Sequence, residues 1–118
     1  YVALTLHRLY TALETSFERI ARTLEGSLPK GADAHQALLH DMTLALPGIR
    51  PAVLREGTAD GLRPLLRFRH FVRHSYAVAW DGERLAEVLR IAEGVWPEAR
   101  EDLRTFAGFL DGLIASLA

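Results

Sequence analysis

Apolar residues recur every three or four positions along most of this chain, the period of a helix with one buried face. The first stretch carries Val2, Leu6, Leu9, Leu13, Phe17, Ile20 and Leu24, with Arg8, Glu14, Glu18 and Arg22 between them. Glu14, Glu18 and Arg22 are spaced by four, which adds charge support of about a few tenths of a kcal/mol. Gly26 stops this helix, and residues 27–31 have the composition of a loop. Asp33 is the expected N-cap of a second helix carrying Ala37, Leu38, Met42 and Leu46, which Pro47 and Gly48 end. Pro51 is expected to open a short helical turn running to Gly57.

A further helix is expected from a cap at Thr58 or Asp60, with Pro64 in its first turn and Leu65, Leu66, Phe68, Phe71, Val72 and Tyr76 along it. Residues 80–82 (Trp80, Asp81, Gly82) break the pattern, and Asp81 looks like the next cap. Leu85, Val88, Leu89, Ala92 and Trp96 form the following buried stripe. Gly94 and Pro97 predict a kink with a short break there. Leu103, Phe106, Phe109, Leu110, Leu113 and Leu117 carry the apolar face to the end. No alternating strand pattern is present. The fold class is therefore all-α, an up-and-down bundle of four to five helices with short connections.

A length of 118 residues fits one domain, spanning 1–118, with one modest core. Apolar residues at 49% and charged residues at 25% are globular values. The formal net charge is −1, which excludes a protein held to nucleic acid by bulk charge. The average hides two features. Every basic residue except Lys30 is arginine, and five histidines accompany a complete lack of cysteine. Without cysteine there are no disulfides, no thiolate zinc sites and no cysteine nucleophile. No apolar run reaches the roughly 20 residues of a membrane span. A signal-peptide pattern is missing too, so the expected location is cytoplasmic. The chain opens at Tyr1, already in helical period, which points to natural sequence before it.

The most specific stretch is 63–76, where Arg63, Arg67, Arg69 and Arg73 surround His70 and His74, with Tyr76 two places beyond. Residues 61–80 hold +4 and no acid, and the remainder of the chain holds −5. Arg69, then four residues, His74, one residue and Tyr76 resembles the motif of the HEPN superfamily, in particular the HepT toxins. The resemblance extends to Leu28-Pro29-Lys30-Gly31, His35, Leu38, Leu39 and Met42, and to Pro47 through Val53. Arg67 to His74 and Arg63 to His70 satisfy looser spacings, but only His74 has a tyrosine two positions on.

The resemblance implies a metal-independent endoribonuclease that acts as a homodimer, with a cleft shared between the motif helices of two protomers. It implies Arg69 and His74 as the catalytic pair. It also implies a cognate antitoxin, an MntA-like minimal nucleotidyltransferase that transfers AMP to Tyr76 (AMPylation). Arg67, Arg73 and His70 are then auxiliary phosphate contacts. No cofactor and no metal are implied.

The residue chemistry agrees with this toxin–antitoxin reading. Cutting RNA without metal requires removal of the 2′-hydroxyl proton, neutralisation of charge on the phosphorane and protonation of the leaving 5′-oxygen. Histidine transfers protons near neutral pH. Arginine offers a rigid charged fork to phosphate oxygens. At about 100° per residue a five-residue step turns roughly 140°, so Arg69 and His74 do not share a face of an ideal helix, whereas Arg69, Arg73 and Tyr76 do. His74 is therefore expected to meet a partner chain's arginine or to sit where the helix loosens near Ser75.

Plainer readings stand beside these. Four arginines on a helix describe a solvated face, and Tyr76 flanks the apolar stripe as a core tyrosine would. His70 and His74 are four apart, but two ligands without carboxylate companions fall short of a metal site. His35 and His40 read as helix-surface residues. Arg50 reads as a loop clamp bonding carbonyls, and Trp80 and Trp96 as packing residues. Two other functional classes remain. One is a non-catalytic HEPN partner that binds and positions a nucleotidyltransferase; the other is a helical interaction module whose arginines meet an acidic partner.

Overall fold

A computed structural model of the chain describes residues 2–74 and 82–117, with side chains for 5–70 and 82–117. Four α-helices account for most of them: α1 (Val2–Ile20), α2 (Ala34–Asp41), α3 (Glu56–His74) and α4 (Gly82–Ser116). No strand occurs among the described residues, and the all-α bundle is the observed architecture. A lone bridge between Leu46 and Arg50 closes one turn. α3 and α4 pack most extensively on each other. They run antiparallel, since Arg55 meets Asp102 while Gly61 lies against Val95 further along. α1 packs on both, and α2 packs on α1 and α3.

The core forms where these faces meet. Leu6, Tyr10, Leu13 and Phe17 of α1 lie buried with Leu38 and Leu39 of α2, Leu62, Leu65, Leu66 and Phe68 of α3, and Val88, Ala92, Val95 and Phe106 of α4. Full burial of one such side chain is worth about 1.5–3 kcal/mol. After Ile20 the chain continues for one π-helical turn, Ala21–Glu25. Gly26 ends it at φ 81°, its N–H bonding the carbonyls of Ala21 and Arg22. A side chain there would be strained, which is why glycine stops the helix.

The loop between α2 and α3 differs from the expected pattern. Asp33 occupies the N-cap position of α2, but its side chain makes no capping bond. α2 ends at Asp41 rather than at Pro47, because tertiary partners collect the carbonyls that would continue it. Val53 and Leu54 both donate N–H to Met42 O, at 2.8 and 2.9 Å. The side chain of Arg50 bonds the carbonyl oxygens of Leu44, Pro51 and Asp41 at 2.7, 3.1 and 3.0 Å. That is the loop clamp read from the sequence. The helical turn expected from Pro51 does not form, since the N–H groups of Val53 and Leu54 are satisfied across the loop.

α3 starts at Glu56, ahead of both proposed caps. The Arg55 carbonyl accepts from Ala59 N–H, so Arg55 is the cap residue. The carboxylate of Asp102, buried on α4, accepts from the Arg55 N–H at 2.9 Å and from its Nε at 2.6 Å. An anion from another helix thus holds the start of α3, where the helix dipole favours negative charge. Thr58 is consequently buried inside the helix, and Pro64 sits in its interior rather than in its first turn.

α4 runs unbroken through Gly94 and Pro97, correcting the expected break. Pro97 lies on the exposed side, as does Glu93 four residues back, so water can satisfy the carbonyl that proline leaves without a donor. At about 1.5 Å per residue, α4 accounts for the 53 Å long dimension of the molecule. Its buried stripe runs through Val88, Ala92, Val95, Ala99, Asp102 and Phe106. Trp96 is 40% exposed and Leu89 also faces solvent. α3 approaches closely at Val95 instead: a Cβ added at Gly61 would stand 2.7 Å from Val95 Cγ2, so glycine there makes room for the valine. The apolar face is not covered to its end either, since Leu113, Ile114 and Leu117 are exposed. The proposed cap Asp81 and Trp80 lie outside the described residues. No helix among the described residues is long and apolar enough to cross a membrane.

Candidate functional site

Arg69 occupies the α3 face turned toward α1. Its Nε donates to Thr11 Oγ1 at 3.1 Å, and its Nη1 to Glu14 Oε1 at 3.4 Å. Thr11 donates its own proton to the His7 carbonyl at 2.8 Å, so its oxygen is free to accept from Arg69. The pair is shielded, with the Arg69 side chain 11% exposed and that of Glu14 5%. Glu14 sits on the buried face of α1 rather than among solvated charges as its spacing suggested. The reason is tertiary: α3 supplies a guanidinium to it, and α2 an imidazole.

That imidazole belongs to His35 in the first turn of α2, whose Nδ1 lies 2.8 Å from Glu14 Oε1. One carboxylate oxygen therefore holds both the arginine and the histidine. Among the described residues the second oxygen, Oε2, is buried without a partner, and so is the hydroxyl of Tyr10 one turn before it. Burial and the Glu14 charge push the Tyr10 hydroxyl well above the usual phenol range, only partly offset by Arg69. It stays neutral at any physiological pH.

Above this cluster opens a cleft of about 500 Å³ between the start of α2 and the second half of α3. Asp33, His35, Gln36, Arg67, Arg69 and His70 supply its polar lining, and Leu66 an apolar wall. Three of the residues singled out by the motif are thereby brought to one place. Arg67 and His70 are exposed on its rim, and Arg69 is half-buried. Arg73 and His74 lie in the last turn of α3, but their side chains fall outside the described set. Tyr76 lies outside the described residues altogether.

The charge of the stretch also changes once it is folded. Asp60 forms an ion pair with Arg63, Glu14 pairs with Arg69, and Asp33 lines the same cleft. Among the described residues, Arg63 and Arg69 are therefore not free basic groups. His35, Glu14 and Thr11 escaped the sequence reading because each belongs to an ordinary helical pattern. The only available signal was that His35 falls within the stretch resembling HepT proteins.

Residues 1–110 match the family model described as HepT-like protein. The chain belongs to the HepT-like family, within the HEPN superfamily. The match covers all four helices except the tail of α4, and so includes both the cleft and the motif. No curated protein and no solved structure matches the chain.

Proposed function

We propose that this HepT-like protein is a metal-independent endoribonuclease toxin. The observation that carries the reading is the setting of Arg69, a motif arginine fixed by a buried carboxylate at the base of a cleft. A guanidinium held in one orientation can meet charge developing on a phosphorane without first reorganising. Arg69 is the phosphate and transition-state stabiliser, and His74 a proton-transfer group. Arg67, His70 and Arg73 assist in holding the RNA backbone.

Attack of the 2′-oxygen on phosphorus breaks the P–O5′ bond, giving a 2′,3′-cyclic phosphate and a 5′-hydroxyl. The site is shared between two protomers, because the five-residue step from Arg69 to His74 turns them to different faces of α3. The cognate antitoxin, a minimal nucleotidyltransferase, silences the toxin by AMPylation of Tyr76. A bulky charged group placed two residues from His74 would obstruct RNA at the motif.

The test is digestion of RNA by the wild type, Arg69→Lys and His74→Ala proteins, with and without a chelator. Lysine keeps the charge opposite Glu14 while removing the fork, so the bundle remains folded. Cleavage that survives chelation and disappears in both variants supports the assignment. Cleavage retained by either folded variant overturns it. If activity per molecule stays constant on dilution through dissociation to monomers, the shared site is wrong. AMP transfer that persists in Tyr76→Phe would remove the regulatory role of that residue.

A further inference from the structure

We infer that His35 is a second proton-transfer residue of this site, the general acid that protonates the leaving 5′-oxygen. The inference rests on the ribonuclease reading and deepens it. Cleavage of a phosphodiester by its own 2′-hydroxyl moves two protons, one off the nucleophile and one onto the leaving group. The motif supplies a single histidine in the catalytic pair. The fold supplies another, His35, from a different helix, at the cleft that Arg69 lines.

Three features of His35 suit it to the role. Its Nδ1 is anchored 2.8 Å from Glu14 Oε1, which sets the ring orientation and assigns the other nitrogen, Nε2, to exchange protons. Its side chain is 46% exposed and lines the cleft, so a substrate oxygen can reach it. The oxygen that anchors it is the same atom that holds Arg69, which places imidazole and guanidinium within the span of one nucleotide. When Nε2 donates its proton, the Nδ1–H bond to Glu14 persists and the ring keeps its place. His74 then takes the 2′-hydroxyl proton, the P–O5′ bond breaks, and the His35 proton goes to the 5′-oxygen. Water returns both histidines to their starting states.

Glu14 acts here as a positioning residue for two groups at once. His35 therefore carries a specific chemical expectation that a mere helix-surface histidine would not.

The discriminating experiment compares two substrates cut at the same phosphorus. One is a short mixed-sequence RNA. The other is a nucleoside 3′-(4-nitrophenyl phosphate), whose leaving group departs as a stable anion and needs no proton. His35→Asn retains an N–H donor near the Nδ1 position for Glu14 and removes Nε2; His35→Gln serves as a second variant, and melting curves confirm folding of both. The expected result is RNA cleavage slowed by about 100-fold or more, the usual worth of a general acid, with the nitrophenyl ester slowed less than about threefold. Equal slowing of both substrates, or of neither, overturns the acid role. A wild type that cuts neither substrate removes the ribonuclease reading itself. A wild type that cuts RNA while the His35 variants cut it equally well removes only this inference.

Discussion

Arg50 and Arg69 are two shielded arginines, each paired with a glutamate of the first helical segment, and the proposed function gives them opposite uses. Arg50 is wholly enclosed, its side chain 0% exposed. Its Nε bonds Glu25 at 3.2 Å and its remaining nitrogens bond three loop carbonyls. Every direction of its fork ends on the protein itself. Arg69 spends Nε and Nη1 on Thr11 and Glu14, yet it lines an open cleft beside two histidines. Burial and ion pairing by themselves therefore do not mark a functional arginine. What sets Arg69 apart is an enclosed anchor together with an open face.

The same substitution at both places gives the sharpest contrast. Arg69→Lys is expected to lower RNA cleavage by about 100-fold or more, comparable with the loss of one oriented transition-state donor, while a denaturation curve moves little. Arg50→Lys is expected to do the reverse. Urea unfolding should show a loss of about 2–3 kcal/mol as loop carbonyls lose their charged donors, with cleavage per folded molecule unchanged. If both variants lost stability and activity together, the distinction between the two arginines would fail.

Smaller effects test the surroundings of each region. Asp102→Ala removes the cap of α3 and strands the Arg55 N–H, at the end of the helix remote from the cleft. Its expected cost is about 2 kcal/mol in thermal or chemical unfolding, with the cleft chemistry intact. Tyr10→Phe deletes a buried hydroxyl beside Glu14 that has no partner among the described residues. Unfolding measurements should place this variant within about 1 kcal/mol of the wild type and on the stabilised side. A clear loss of stability or cleavage in Tyr10→Phe would mean that the hydroxyl serves the cluster after all.

Local signals made much of the fold legible. Gly26 needed a positive φ that few other residues adopt, and the first helix ends there. The period of apolar residues located α1, α3 and most of α4, and the arginine-rich stretch pointed to the α3 wall of the cleft. Failures came wherever a distant residue settled a local choice. Asp102 started α3 ahead of Thr58, and the Met42 carbonyl took the N–H groups that a turn at Pro51 needed. At Val95, not Trp96, α4 meets Gly61 of α3, and Trp96 stays exposed.

The amino-acid sequence by itself determined the helical class, the stop at Gly26, and the spacing of Arg69, His74 and Tyr76. Each depends on residues close enough along the chain to act through backbone geometry alone. Only the tertiary structure decided that Glu14 is buried, that it holds Arg69 from 55 positions away, and that His35 joins it from 21 positions away. A carboxylate at a polar helical position reads the same whether it meets water or a guanidinium. The packing of α2 and α3 on α1 makes the difference, by removing water from Glu14 and putting the arginine and the histidine in its place.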